Sequence, residues 1–330
     1  MSVGPFTRRS ILSAAAALAA TPAIIAPARA QSEFPSRPIH LVVGFAAGGG
    51  NDIFARLVGA KLSEILGQPV IVENKPGAGG RLAPEYVTQQ AADGYTLFVG
   101  PSGAMAVAAA IYPDLKYSPT KSFVPLAMIA NFPLILVVAA DNPANNVKDF
   151  VAWMKAHPDK ANYASSSPAF TITTELLKLK TGMPGTMIPY KGSGEMILSV
   201  IQGQTAMTIA DGPPTIPQVK GGKVKALAVT GTERSPLLPD VPSMAEAGYP
   251  SVDVHLWSGV FAPTGTPAPA IAKLRAALKQ SIEDPGVSEK LKAMAVEPGG
   301  ATPDQFEKII QSDTTKFGDV VKAANLKFED

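Results

Sequence analysis

The sequence predicts an α/β fold built from two similar halves that face each other across a cleft. Three observations predict it: short apolar strands alternate with amphipathic helices, the alternation recurs in the middle of the chain, and the strands run into loops rich in Gly or Ser. Alternation of this kind implies a mostly parallel sheet with right-handed crossovers. In such open sheets ligands sit beyond the carboxyl ends of the strands.

Ile39 to Phe45 (IHLVVGF) reads as the first strand, the loop AAGGGND follows, and a helix spans about Ile53 to Leu66, where Ile53, Leu57, Leu62 and Ile65 keep helical spacing. Gly67 stops that helix. Val70 to Val72 opens a second strand that ends in ENKPGAGG, a helix covers about Pro84 to Gln90, and Tyr95 to Val99 is a third strand after the Asp93-Gly94 turn. The pattern then repeats. Leu134 to Ala140 is a strand, Val147 to His157 a helix with Trp153 on its apolar face, and Asn162 to Ala164 leads into SSSPAFT. A helix over Ile172 to Lys180, a short strand ending at Pro189-Tyr190, the loop KGSGE, a helix over Met196 to Gln202 and strands at Thr205 to Ala210 and Lys225 to Thr230 complete the second half. Past Asp240 the chain is Pro-rich, passes through Trp257 to Ala262, and ends in two or three helices from Ala268 onward.

Composition narrows the function classes. The 330 residues are 46% apolar and 17% charged, an ordinary globular balance and enough chain for two domains. With no Cys there are no disulfides, thiolate metal sites or thiol nucleophiles. The net charge of +2 is unevenly placed. Arg8-Arg9, an Ala-rich apolar stretch from Ile11 to about Ala26 and Ala28-Arg29-Ala30 read as an export signal over residues 1–30, of secretory or twin-arginine type. Three basic and no acidic residues lie there, so the remainder carries 26 basic against 27 acidic residues. No basic cluster is left to suggest nucleic acid.

Catalytic constellations are missing from the sequence. His40, His157 and His255 keep no metal-ligand spacing, no Ser lies in a nucleophile elbow, and Asp and Glu are scattered, so neither metal nor cofactor is expected. The strand-end loops carry the signal instead. Ala46 to Asp52 leads into a helix N-terminus, where free N–H groups and the helix dipole favour an anion; the same loop also reads as a capped strand-to-helix turn and nothing more. Pro76 to Arg81 is a second glycine loop. Ser165-Ser166-Ser167 and Lys191-Gly192-Ser193-Gly194 add hydroxyl and backbone donors from the other half, so the four loops together point to a cleft that grips a small anion through neutral groups. Trp153 and Trp257 read as core residues, with Trp257 the better candidate for a role in the site.

Over residues 35–330 the chain resembles the Bug-type periplasmic solute-binding receptors of the tripartite tricarboxylate transporter family. The ordered motifs RPIHLVVGFAAGGGNDIFAR, LGQPVIVENKPGAGG, DGYTLFVG, PYKGSGE, KVKALAVTGTERSPLLPDVPSMAEAGYP and WSGVFAPTGTP carry the resemblance. It implies a two-domain periplasmic binding protein (a type II-like Venus flytrap) with two crossovers, domain 1 from residues 31–131 plus 252–330 and domain 2 from 132–251. The hinge would lie near Phe132 to Leu134 and Ser251 to Trp257. It implies a small organic carboxylate held in the interdomain cleft by a monomer, without catalysis, for transporter membrane subunits or a sensor kinase. An exported hydrolase or transferase is the rival reading.

The implied site takes Phe45, Ala47, Gly48, Gly49, Gly50, Asn51 and Asp52 from one wall. Ser165, Ser166, Ser167, Phe170, Thr171, Lys191, Gly192, Ser193, Asp211 and Gly212 come from the other. The chain departs from the family pattern at Gly44 and Asn51, and at Phe170 and Thr171, where a small polar residue and His are common. The last pair makes that wall larger and more apolar, which favours a monocarboxylate or dicarboxylate with an apolar body over citrate.

Overall fold

The computed structural model describes Met1 and residues 34–323; the rest of the export signal expected over residues 1–30 lies outside them. β1 (Ile39–Val43) is buried except at His40, as an inner parallel strand should be. α1 (Gly50–Leu66) buries Phe54, Val58 and Leu62, spaced four apart on one face. It ends at Gly67, whose N–H still reaches the Ser63 carbonyl and whose left-handed φ of 64° turns the chain out of the helix. β2 (Val70–Asn74), α2 (Leu82–Thr88) and β3 (Thr96–Pro101) follow, and a π-helical turn at Gly103–Val107 runs into the short α3 (Ala108–Ile111).

β4 (Phe123–Ala139) is 17 residues long. Beyond it lie α4 (Val147–Ala156), β5 (Asn162–Ser165), α5 (Pro168–Thr181), β6 (Thr186–Pro189), α6 (Ser193–Ile201), β7 (Met207–Asp211), α7 (Gly212–Lys220) and β8 (Val224–Val229). β9 (His255–Pro263), α8 (Ala268–Glu283), α9 (Pro285–Lys292), β10 (Glu297–Pro298) and α10 (Pro303–Ala323) complete the described chain.

The strand order is β2-β1-β3-β9-β4-β7-β5-β6, with β8 and β10 also paired to β4. Among the described residues, parallel ladders join β1 to β2 and β3, and β5 to β6 and β7, with one isolated parallel bridge from Val229 of β8 to Ser243. Every ladder on β4, and that between β3 and β9, is antiparallel, so the sheet is mixed rather than mostly parallel. β4 joins the two halves. Phe123 to Pro133 pairs with β9, whereas Leu134 onward pairs with β7 and β8. The first part was not foreseen as a strand because Pro125 and Pro133 interrupt its apolar run, and Pro125 sits where the register shifts. At the changeover the buried Thr230 hydroxyl accepts from the Leu134 N–H (2.8 Å) and donates to the Val254 carbonyl (2.6 Å).

α7 was likewise not foreseen, since Pro213, Pro214 and Pro217 argue against a helix. Pro213 and Pro214 occupy its first turn, where N–H groups lack intrahelical partners in any case. Trp257 belongs to the core of the first half. It is 3% exposed, meets Phe306 edge-on at 4.9 Å and donates from Nε1 to Asp313 at 2.7 Å. Trp153 stacks between Phe150 and His157 on α4.

Candidate functional site

The N-termini of α1, α5, α6 and α7 all meet one small cavity. Their N-cap residues are Gly49, Ser167, Gly192 and Asp211, and none of the four caps its helix with a side chain. α1, α5 and α6 therefore leave first-turn N–H groups for something else, with the positive ends of their dipoles behind them, whereas α7, opening Gly212-Pro213-Pro214, offers only that of Gly212. The cavity is about 20 Å³, room for the centre of one water molecule. It is lined by Phe45, Gly49, Gly50, Asn51, Pro101, Gly103 and Phe132 on one side and by Ser166, Ser167, Ala169, Phe170, Ser193, Asp211 and Leu256 on the other. No Lys or Arg is among them.

The walls touch. Ala46 N–H donates to the Lys191 carbonyl at 3.0 Å, and Gly50 N–H to Ser193 Oγ at 3.4 Å. Gly50 packs directly against the Asp211 side chain: a Cβ there would lie 2.0 Å from Asp211 Oδ2. Two polar side-chain atoms in the wall are buried without a hydrogen-bond partner, Ser166 Oγ and Asp211 Oδ1. Ser166 is 6% exposed and Asp211 2%. Burial pushes the Asp211 carboxyl up to about 6, although the nearby Ser193 hydroxyl and backbone N–H groups act against the rise.

Some of the expected site residues stand behind this surface. Asp52 is buried and turned back: Oδ2 accepts from Gly48 N–H (2.9 Å) and Arg56 Nε (3.0 Å), and Oδ1 from Asn74 Nδ2 (2.9 Å). Burial alone would raise its pKa, but the hydrogen bonds from Arg56, Gly48 and Asn74 outweigh it and hold the carboxyl below the usual range. Asp52 thus fixes the glycine loop. Ser165 and Thr171 hydrogen-bond each other at 2.8 Å, and both reach the Ser167 carbonyl, which shapes the start of α5. Ala47 and Gly48 are exposed, and neither they nor Gly192 and Gly212 line the cavity. Lys191 lines a neighbouring groove of about 460 Å³, together with Gly77 to Gly80, Pro189, Tyr190 and Glu195. Phe45 and Ser166 border both spaces. His40, His157 and His255 do not line the cavity. Among the described residues no group of three or more His, Asp or Glu could hold a metal ion.

Four lining residues were missed by sequence reasoning, Pro101, Gly103, Phe132 and Leu256, while Ala169 falls within the expected stretch from Ser165 to Thr171. Pro101 and Gly103 carried a usable signal, since Gly100-Pro101-Ser102-Gly103 follows a strand directly, as the other four loops do. Phe132 and Leu256 had none, because their place follows from β4 pairing with β9 at Phe132 and Leu256.

The same architecture recurs in solved structures. MatC from Rhodopseudomonas palustris with bound malate is 34% identical, covers 87% of this chain and all of its own, and superposes with a TM-score of 0.83. A second R. palustris protein, with adipate, is 33% identical over 89% of this chain and 99% of its own, with a TM-score of 0.86. The periplasmic binding protein BugD is 32% identical over 90% of this chain and 100% of its own, with a TM-score of 0.86. The fold is therefore the two-domain α/β periplasmic binding fold. The family model described as "Tripartite tricarboxylate transporter family receptor" (TctC) matches residues 54–326, a span that holds the N-termini of α5, α6 and α7 and all of β4. By that match the chain belongs to the receptors of the tripartite tricarboxylate transporter family.

Proposed function

We propose that the chain captures a small organic carboxylate between its two domains and delivers it to the membrane subunits of a tripartite tricarboxylate transporter. Its family makes it a periplasmic transport receptor rather than an enzyme. One observation carries the carboxylate reading: uncapped helix N-termini and the unpartnered Ser166 hydroxyl face one cavity that no Lys or Arg lines. Such donors suit carboxylate oxygens, and the hydrogen bonds gain strength because the site is largely dry. The related receptors solved with malate and with adipate hold acids of this class.

A cavity with room for one water cannot hold a four- or six-carbon diacid, so the walls part for binding and close on the acid. The domains in this reading are residues 31–131 plus 252–330 and residues 132–251, hinged where β4 changes partners and where residues 251–257 return. One chain supplies both walls, so the receptor acts as a monomer. Residues 1–30 direct its export. The reading is tested by thermal shift of the mature chain against malate, adipate, succinate, benzoate, citrate, neutral sugars and amino acids. A ligand at about 100 times its Kd stabilises the native state by about 2.7 kcal/mol. Stabilisation by acids of one or two carboxylates is expected; stabilisation by sugars alone, or by none of these compounds, overturns the proposal.

A further inference from the structure

Asp211 has the sequence position of a helix cap and cannot act as one. An Asp at the N-cap ordinarily accepts from the N–H of the second or third helical residue. In α7 those residues are Pro213 and Pro214, which have no N–H, and the side chain makes no capping bond. The carboxyl is thereby released from its own helix and turned into the cleft wall. Oδ2 lies against Gly50, the Ser193 hydroxyl donates to the carboxyl, and Oδ1 is buried with no partner.

Among the described residues, no charged group pairs with it from the surrounding elements. On α1, Asp52 and Arg56 pair with each other. On α6, Glu195 accepts from the Lys191 N–H, and the Lys191 residue lines the outer groove. β4 has no charged residue, β7 has only Asp211 and α7 only Lys220, at its far end. On β8, Lys225 is held by the carbonyls of Asn142 and Ala144. On α5, Glu175 and Lys178 pair at 2.7 Å. Met294, whose carbonyl touches Gly212, is flanked by the exposed Lys292 and Glu297.

We propose that a ligand carboxylate is captured together with one proton, shared between a ligand oxygen and Asp211 Oδ1. This rests on the carboxylate reading above. Two carboxylates in one dry cavity without a cation cannot both stay ionised, so one of them takes a proton from solvent as the cleft closes. The neutral Asp211 carboxyl then donates to the ligand, which gives Oδ1 the partner it lacks. A pKa already raised to about 6 by burial makes that proton available near neutral pH.

The test is calorimetry on the mature chain with malate and adipate, and with any other acid that stabilises it in the thermal screen. Titrations run between about pH 6.5 and 8.5, where these acids are largely ionised. Phosphate and Tris, whose ionisation heats differ, report protons taken up. The expected results are a Kd that rises about tenfold per pH unit and uptake approaching one proton at the upper end. Asp211→Asn, which carries a permanent donor, is expected to bind without pH dependence and more tightly than the natural chain at the upper end. A Kd independent of pH with equal heats in both buffers overturns the proposal and leaves the carboxylate reading standing. Loss of binding in Asp211→Asn at every pH also overturns it, by showing that Asp211 accepts from a hydroxyl or ammonium of the ligand. The proton count on the natural chain decides the matter without that variant. Failure of every acid to bind overturns both readings.

Discussion

Gly50→Ala should separate closure of the cleft from stability of the fold. The new Cβ would stand 2.0 Å from Asp211 Oδ2 and 2.8 Å from Asp211 Cγ. Non-bonded carbon atoms rest at about 3.5–4.0 Å, so the walls must part by more than an ångström or Asp211 must retreat into a packed interior. Overpacking of this kind costs about 1–3 kcal/mol, which is about 5- to 150-fold in affinity. The cost falls on the closed cleft. On the helix, Ala is favoured over Gly by up to about 1 kcal/mol, so the fold should lose little. Gly49→Ala is the control, because its Cβ would meet nothing nearer than Ser193 Oγ at 3.4 Å. Calorimetry with a bound acid, paired with thermal melts, should show affinity lost in Gly50→Ala and retained within about threefold in Gly49→Ala. Equal affinity in Gly50→Ala and the natural chain would refute the view that α1 and α7 close on the ligand at this contact.

Ser166→Ala removes a buried hydroxyl that has no partner, so stability should hold or rise while affinity falls by about tenfold or more, read by melts and calorimetry. Asp211→Asn should stabilise the protein at neutral pH. The folded pKa of about 6 exceeds the ordinary value of 3.8, so the stability tied to the neutral carboxyl is present below about pH 4 and lost as pH rises through 6. The variant should therefore gain up to about 3 kcal/mol near pH 7 and nothing near pH 3.5; urea titrations giving an equal gain at both would refute this. Thr230→Val leaves the Leu134 N–H and the Val254 carbonyl without the hydroxyl that joins them, and should cost about 2–4 kcal/mol in urea unfolding. An unchanged midpoint would show that this bridge is dispensable.

The elements legible in the sequence were those whose causes are local. β1, α1 and the turn at Gly67 announce themselves through an apolar run, helical spacing and a glycine stop. The early turns of helices were harder to read. α1, α5 and α6 begin at Gly50, Pro168 and Ser193, three to four residues before their apolar spacing starts. The first turns of α1 and α6 are polar and glycine-rich and that of α5 opens on Pro168, so the residues that make the site hid the helices that carry it. The long β4 and β9 were obscured for a different reason. Their partners lie far along the chain, as Asn131 opposite Trp257 and Leu134 opposite Asp211 illustrate, and no local pattern encodes such a pairing.

Phe170 connects that delayed helix start to the choice of ligand. With α5 beginning at Pro168, Phe170 falls in the first turn and lines the cavity with Phe45, Phe132 and Leu256. In the proposed site a ligand carboxylate would meet amide and hydroxyl donors on one side and aromatic or aliphatic surface on the other. Each further carboxylate on the ligand needs donors of its own, and this cavity already holds one carboxyl and no cation. A charge left unpaired against Phe170 would be strongly unfavourable in so dry a space. A second carboxylate fits only where it can reach the outer groove, with its glycine loop and Lys191. Under the proposed carboxylate reading, that geometry would favour an elongated diacid with an apolar middle and would leave the third carboxylate of a branched tricarboxylate without a partner.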